Sequence, residues 1–112
     1  MNEEYPVFRH WYKTLDWILD SCERFPKSVR FSLSSRMANI GLDVTERIIE
    51  AIYTKPRRRI LTEANLHIEK LRVLFRISYE RKYLSMQQYE YISGELNEAG
   101  KMIGGWLKQC AE

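Results

Sequence analysis

The fold is decided by residues 55–84, KPRRRILTEANLHIEKLRVLFRISYERKYL, which combine helical periodicity with most of the basic charge. The segment holds nine Lys or Arg and three Glu, a net charge of +6, whereas the whole chain carries +3. At about 100° per residue, one stripe collects the residues expected to face the core: Leu61, Ala64, Ile68, Leu71, Phe75 and Ser78. The pattern predicts a long amphipathic helix that concentrates positive potential in one part of the molecule.

The same helix carries apolar residues on a second face. Leu66, Val73 and Ile77 fall nearly opposite the core stripe. Because a single small bundle buries one face of a helix, a second apolar face predicts contact with another subunit. Together with residues of the first two helices that are interpreted as pointing away from the core, they form the candidate oligomer interface: Trp17, Phe31, Ile49, Leu66, Val73 and Ile77.

Six basic residues of the segment are candidates for nucleic-acid contact: Lys55, Arg57, Arg58, Arg59, Arg72 and Arg76. Arg72 and Arg76 lie one turn apart beside the core stripe, so their guanidinium groups need acceptors along a seam. Two interpretations remain open. Glu69 and Glu80 are three and four residues away, and pairs of this kind contribute roughly 0.2–0.5 kcal/mol each within a helix. The alternative acceptor is a phosphate or an acidic partner.

The basic run from Lys55 to Arg59 has no acidic residue nearer than Glu63. A phosphate or an acidic partner is the favoured interpretation of this run. A solvated basic surface at the start of a helix is the other interpretation.

The rest of the chain predicts three further helices. Hydrophobic residues make up 45% of the sequence, with five Gly and three Pro, and β-branched residues form no alternating runs. Four helices are expected over about residues 6–24, 28–53, 57–83 and 86–110. Short turns between helices of this length predict a single-domain, all-α, up-down-up-down antiparallel four-helix bundle.

Local signals mark where two of these helices begin and where one approaches a neighbour. Ser28 is the predicted cap of the second helix. Ser85 is the predicted cap of the fourth, with Gln88 in the position of a capping box. Gly100 and Gly104 lie one turn apart in the fourth helix, where each interior Gly costs about 1 kcal/mol relative to Ala. They predict close approach of another helix backbone, the alternative being a frayed end.

Several functional classes find no support in the residues. No run of about 18 apolar residues is present, and the N-terminal MNEEYPVF is acidic, so a soluble cytoplasmic protein without a membrane partner is expected. Cys22 and Cys110 occupy core-type positions and lack metal-ligand spacing. His10 and His67 are far apart and expected to be solvated, and no Gly-rich phosphate loop occurs. We therefore expect no metal, no cofactor and no enzymatic activity.

Three segments together resemble a known family. They are FPKSVRFSLSSRMANIGLDVTERIIEA (25–51), LRVLFRISYERKYLSMQQYEYIS (71–93) and LNEAGKMIGGWLK (96–108). In this order and spacing they resemble the accessory variability determinant (Avd) family of diversity-generating retroelements. The second helix is also similar to the four-helix proteins encoded by intervening sequences of 23S ribosomal RNA. Residues 43–51, DVTERIIEA, depart from the Ser-x-Pro-x-Asn-Ile-Ala-Glu-Gly pattern usual there, which favours the retroelement branch.

The resemblance implies a homopentameric barrel with a positively charged pore. Such a barrel would bind template RNA or an RNA/DNA hybrid and associate with the reverse transcriptase during mutagenic cDNA synthesis, without being the polymerase. The resemblance places Arg72 and Arg76 among the pore or partner-facing basic residues. The expected function is that of a non-catalytic accessory protein that binds nucleic acid. The alternative is a protein-interaction scaffold whose basic helix binds an acidic partner without nucleic acid.

Overall fold

Four α-helices account for most of the chain in a computed structural model that describes residues 5–110. Their bounds are α1 Pro6–Glu23, α2 Ser35–Tyr53, α3 Arg58–Glu80 and α4 Met86–Gln109. Within the described residues there is no strand. α1 and α3 each pack against both α2 and α4, so the four helices surround one core. The resulting four-helix bundle measures 44 × 23 × 22 Å.

The core stripe predicted for α3 is confirmed, because all six of its residues are buried. Trp11 of α1 is the largest fully buried side chain that packs against this core. Its indole N–H donates to the Gly41 carbonyl at 3.2 Å and to the Thr45 hydroxyl at 3.1 Å, both on α2. A buried polar group is therefore satisfied while it ties α1 to α2.

The connection from α1 to α2 differs from the prediction. Lys27–Val29 form a 3₁₀ turn, Arg30–Ser34 form one π-helical turn, and α2 begins at Ser35. Ser28 lies inside the 3₁₀ turn and caps no α-helix. The apolar residues of this connection, Phe31 and Leu33 among them, are two residues apart in the sequence. A regular α-helix would place residues at that spacing on different faces. The irregular turns place Leu33 against the core and leave Phe31 88% exposed.

The start of α4 agrees with the predicted capping box. The Ser85 hydroxyl accepts from the Gln88 backbone N–H at 3.1 Å, and the Gln88 side-chain oxygen accepts from the Ser85 backbone N–H at 2.9 Å. Two backbone donors that the helix cannot satisfy by itself are paired in this way.

No helix within residues 5–110 is both long enough and apolar enough to cross a bilayer.

Candidate functional site

Three of the predicted basic residues lie along the seam between α3 and α4. Arg58 donates from Nη1 to the Leu107 carbonyl at 3.2 Å, and Arg72 donates from Nη2 to Asn97 Oδ1 at 3.2 Å. Arg76 follows Arg72 by one turn on the same face of α3. We call Arg58, Arg72 and Arg76 the arginine seam. The first two are about 21 Å apart along the helix axis, so the seam is a stripe of charge and not a compact cluster.

The members of the seam differ in how far their charge is neutralised. Arg72 Nε lies 2.9 Å from Glu69 Oε1, so one of the two intrahelical pairs considered from the sequence does form. The Nε–H nevertheless makes no hydrogen bond, because it is not aligned with that carboxylate. Arg76 is exposed and has no ion pair with any described residue, Glu80 included. Arg76 is therefore the seam residue whose charge is most available to a ligand.

The basic run at the start of α3 is partly used within the chain. The Arg57 guanidinium lies 5.4 Å from the centre of the Trp106 ring, a cation–π contact with α4. Arg59 is 91% exposed and its Nε lies 3.2 Å from Glu63 Oε1. Lys55 is exposed and makes no ion pair with residues 5–110. Because an exposed ion pair contributes only about 0–1 kcal/mol, both Lys55 and Arg59 remain available to an anionic partner.

A second surface lies between α2 and α3. It is an open groove of about 720 Å³ with Phe31, Val73 and Leu74 among its apolar lining residues. Arg36 and Lys70 also line the groove, and neither is ion-paired to a described residue. Neither cation could be identified from the sequence, since nothing in the spacing shows which exposed cation borders an apolar groove.

Four of the six predicted interface residues are exposed. Phe31 is 88% exposed, and the outer face of α3 contributes Leu66, Val73 and Ile77 at 56%, 46% and 38%. These side chains form an apolar surface that the chain itself does not cover. Whether another subunit covers it stays a prediction.

Trp17 and Ile49 do not point away from the core, contrary to the sequence interpretation. Both are half-buried and pack against it. The Trp17 ring centre lies 5.3 Å from that of Tyr91 and 6.2 Å from that of Phe75. A helix in this bundle contacts two neighbours, so it buries a wider arc than the single stripe assumed from the sequence.

Gly100 of α4 lies against the arginine seam. A Cβ placed on Gly100 would sit 3.3 Å from Arg72 Nη2, whereas a Cβ on Gly104 would meet no described atom within 4 Å. The predicted approach of another helix backbone is therefore wrong within the chain. Gly100 instead leaves room for the side chain of Arg72, and Gly104 faces open space.

The described residues show little other reactive chemistry. Within residues 5–110, no group of three or more His, Cys, Asp or Glu is placed to hold a metal ion. Both cysteines are free. The pKa of the Cys22 thiol is raised to about 11, mainly because the thiol is buried and to a smaller extent because the Glu23 carboxylate lies nearby. His10 is half-buried, with Nε2 3.0 Å from the Glu95 carbonyl, and not solvated as expected.

Comparisons with known proteins agree with this architecture. A solved structure of a protein of unknown function from the S23 ribosomal protein family of Bacteroides thetaiotaomicron VPI-5482 superposes with a TM-score of 0.84. It is 17% identical, with 91% of this chain and 95% of that chain covered, and such an identity shows the fold alone. Comparison with curated proteins found no match. A family model described as bAvd-like matches residues 7–110. The chain therefore belongs to the bAvd-like family.

Proposed function

We propose that this chain is a non-catalytic accessory protein of a diversity-generating retroelement. It binds template RNA or an RNA/DNA hybrid and associates with the reverse transcriptase. The observation that carries the proposal is the net charge of +6 on residues 55–84, within which Arg76 and Lys55 form no ion pair with described residues. Membership of the bAvd-like family and the resemblance to Avd proteins support the retroelement setting.

The binding mode follows from the kind of charge that the surface presents. Arginine forks match phosphate oxygens, and contacts to phosphates give affinity without reading the base sequence. The arginine seam runs along a helix as a stripe, which suits a repeating backbone better than a single compact ligand. Each phosphate contact releases counterions, so the affinity should fall steeply as salt is raised.

The oligomeric part of the proposal is a homopentamer. Phe31, Leu66, Val73 and Ile77 leave an apolar surface exposed on each chain, and large surfaces of this kind in soluble proteins often mark interaction sites. A ring of five copies would bury that surface. It would also repeat the arginine seam five times, so that several weak phosphate contacts act on one nucleic acid.

Fluorescence anisotropy of a labelled structured RNA, titrated between about 50 and 200 mM salt, tests the proposal. A surface that makes several phosphate contacts should lose on the order of 10³-fold in affinity over this range. Arg76→Ala should reduce the slope of log K against log salt by about 1. Arg24→Ala is the matched control, because Arg24 is exposed at the C-terminal cap of α1 and already paired with Asp20 at 2.9 Å. Absence of RNA binding at the lowest salt would overturn the proposal.

A protein-interaction scaffold is the second candidate, and the groove between α2 and α3 favours it. Arg36 and Lys70 outnumber the one carboxylate that lines the groove, Asp43, and they lie beside its apolar residues. This arrangement suits an acidic amphipathic segment of a partner. Salt-sensitive binding to the reverse transcriptase, combined with no binding to RNA or single-stranded DNA, would select this function over the first.

A further inference from the structure

An open pocket of about 290 Å³ lies in the middle of the arginine seam, between α3 and α4. Its polar lining consists of Asn65, Glu69, Arg72, Asn97 and Lys101, and Gly100 contributes no side chain. A guanidinium, an ammonium and two carboxamides therefore line one recess together with a single carboxylate. The two cations outnumber that carboxylate, and the groups bring more hydrogen-bond donors than acceptors, which suits an anion that takes the place of the carboxylate.

Several hydrogen-bond donors of this pocket have no acceptor among the described residues. Arg72 makes one hydrogen bond, from Nη2 to Asn97 Oδ1, and its buried Nε–H makes none. Because Asn97 accepts through its oxygen, its amide nitrogen is left free to donate. Lys101 is exposed and forms no ion pair with the described residues. A ligand that accepts several hydrogen bonds at once would satisfy all three groups.

Gly100 keeps the pocket open. Any larger residue would place its Cβ 3.3 Å from Arg72 Nη2, a contact tight enough to push the guanidinium aside by a few tenths of an ångström. Such a shift would weaken the alignment of the guanidinium with Asn97 and with a ligand in the recess. The helix therefore carries a residue of poor helical propensity at the point where Arg72 needs space.

Glu69 already provides a carboxylate beside Arg72, yet that carboxylate leaves the Nε–H without a hydrogen bond. The Glu69 side chain is 66% exposed, so the pair is weak and little is lost when the carboxylate turns away. A phosphate group offers more acceptor oxygens than a carboxylate and carries them in a tetrahedral arrangement. Arg72, Asn97 and Lys101 all line this pocket, so a phosphate has more oxygens to share among them than a carboxylate does.

We propose that this pocket binds one phosphate group of a nucleic-acid backbone, and that Glu69 is the internal carboxylate that the phosphate replaces on Arg72. The nucleic-acid source rests on the function proposed above. The pocket itself rests on the geometry of Arg72, Asn97, Lys101 and Gly100. Two measurements separate these parts.

The first measurement follows the arginine Nε–H resonances by NMR while inorganic phosphate is added to the folded protein. The Arg72 resonance, assigned with Arg72→Lys, should shift in a saturable way, while the Arg59 resonance should shift much less. Gly100→Ala should weaken phosphate binding, so that the Arg72 shift saturates at a higher phosphate concentration. Gly104→Ala is the matched control and should titrate like the wild type, since a Cβ at that position meets no described atom within 4 Å. No shift in the wild type, an unchanged titration in Gly100→Ala, or an equal shift with acetate would overturn the phosphate site.

The second measurement is RNA binding by the same variants, with thermal melts to show that each is folded. Gly100→Ala should lower RNA affinity and reduce the salt slope by at most roughly 0.7–0.9, the contribution of one phosphate, and Gly104→Ala should leave both unchanged. Glu69→Gln should raise RNA affinity several-fold more than its control, Glu80→Gln, does. The control removes the same charge from α3 but leaves the carboxylate beside Arg72 in place. RNA binding that is identical in Gly100→Ala and Gly104→Ala overturns the pocket and leaves the proposed function standing. A phosphate-induced Arg72 shift without any RNA binding overturns the nucleic-acid source and identifies a free-phosphate site.

Discussion

Phe31→Ala is the substitution that most directly probes the proposed oligomer. Phe31 lies in the π-helical turn before α2 and lines the groove between α2 and α3. At 88% exposure it contributes little to the core of its own chain. Its loss should therefore leave the bundle folded while it removes an apolar group from the proposed subunit interface.

The magnitude follows from the exposed area. A phenylalanine side chain buries about 200 Å² when fully covered, and about 175 Å² of that remains to be covered here. At ~25 cal/mol per Å² the burial contributes at most ~4 kcal/mol. Fixing the side chain offsets about 1 kcal/mol of this. We expect a loss of about 3 kcal/mol per interface, on the order of a 100-fold increase in the dissociation constant.

Sedimentation velocity over a range of protein concentrations measures this change. Met86→Ala is the matched control, because Met86 is 60% exposed at the start of α4 and lies outside the groove. The control should assemble like the wild type, whereas Phe31→Ala should dissociate at higher concentration. An unchanged dissociation constant for Phe31→Ala, or a wild type that is monomeric at micromolar concentration, would refute the reasoning.

Four further predictions concern the bundle itself. Trp11→Phe removes the buried N–H donor and leaves a small void. The free energy of unfolding measured with urea should therefore fall by about 2–3 kcal/mol. A fall of less than about 1 kcal/mol would contradict the tight packing of Trp11 between α1 and α2. Ser85→Ala removes one of the two hydrogen bonds of the capping box and should lower the free energy of unfolding by about 1 kcal/mol in thermal melts. Ser85→Asp should retain most of that stability, because its carboxylate can accept the same hydrogen bond. A thiol reagent at mildly alkaline pH should modify half-buried Cys110 well before buried Cys22, and equal rates would contradict the burial. The pKa of Cys22 rises from 9.0 to about 11 on folding, so its contribution to stability is present below pH 9 and lost as the pH approaches 11; Cys22→Ala should lack this dependence.

The helices and the buried face of α3 were accessible from the sequence because they depend on local periodicity. Leu61 and Phe75 recur at helical spacing with the other residues of that stripe, and all of them are buried. The capping box at Ser85 was also predictable, since it involves residues three apart. The start of α2 was not predictable from the sequence. The π-helical turn of Arg30–Ser34 is a rare conformation, and Ser28, the predicted cap, lies in the 3₁₀ turn before it.

The partners of the arginines could not be read from the sequence, because they depend on which residues of other helices lie opposite. Arg58 donates to the Leu107 carbonyl, 49 residues away, and Arg47 reaches Glu63 of α3 at 3.3 Å. The meeting of Arg72 with Gly100 is a contact of the same kind. Spacing within one helix offered Glu69 and Glu80 as acceptors and left the alternative open. It did not show that Arg72 would pair with Glu69 or that Arg76 would lack an equivalent pair with a described residue.

Native mass spectrometry of the purified protein, with and without a structured RNA, measures oligomeric state and RNA binding together. It reports the number of copies of the chain and the number of bound RNA molecules in the same spectrum. We predict a homo-oligomer, a pentamer, that retains RNA at low ionic strength and releases it as salt is raised. A monomer that retains no RNA under the gentlest conditions would show that the chain is not an oligomeric nucleic-acid-binding protein.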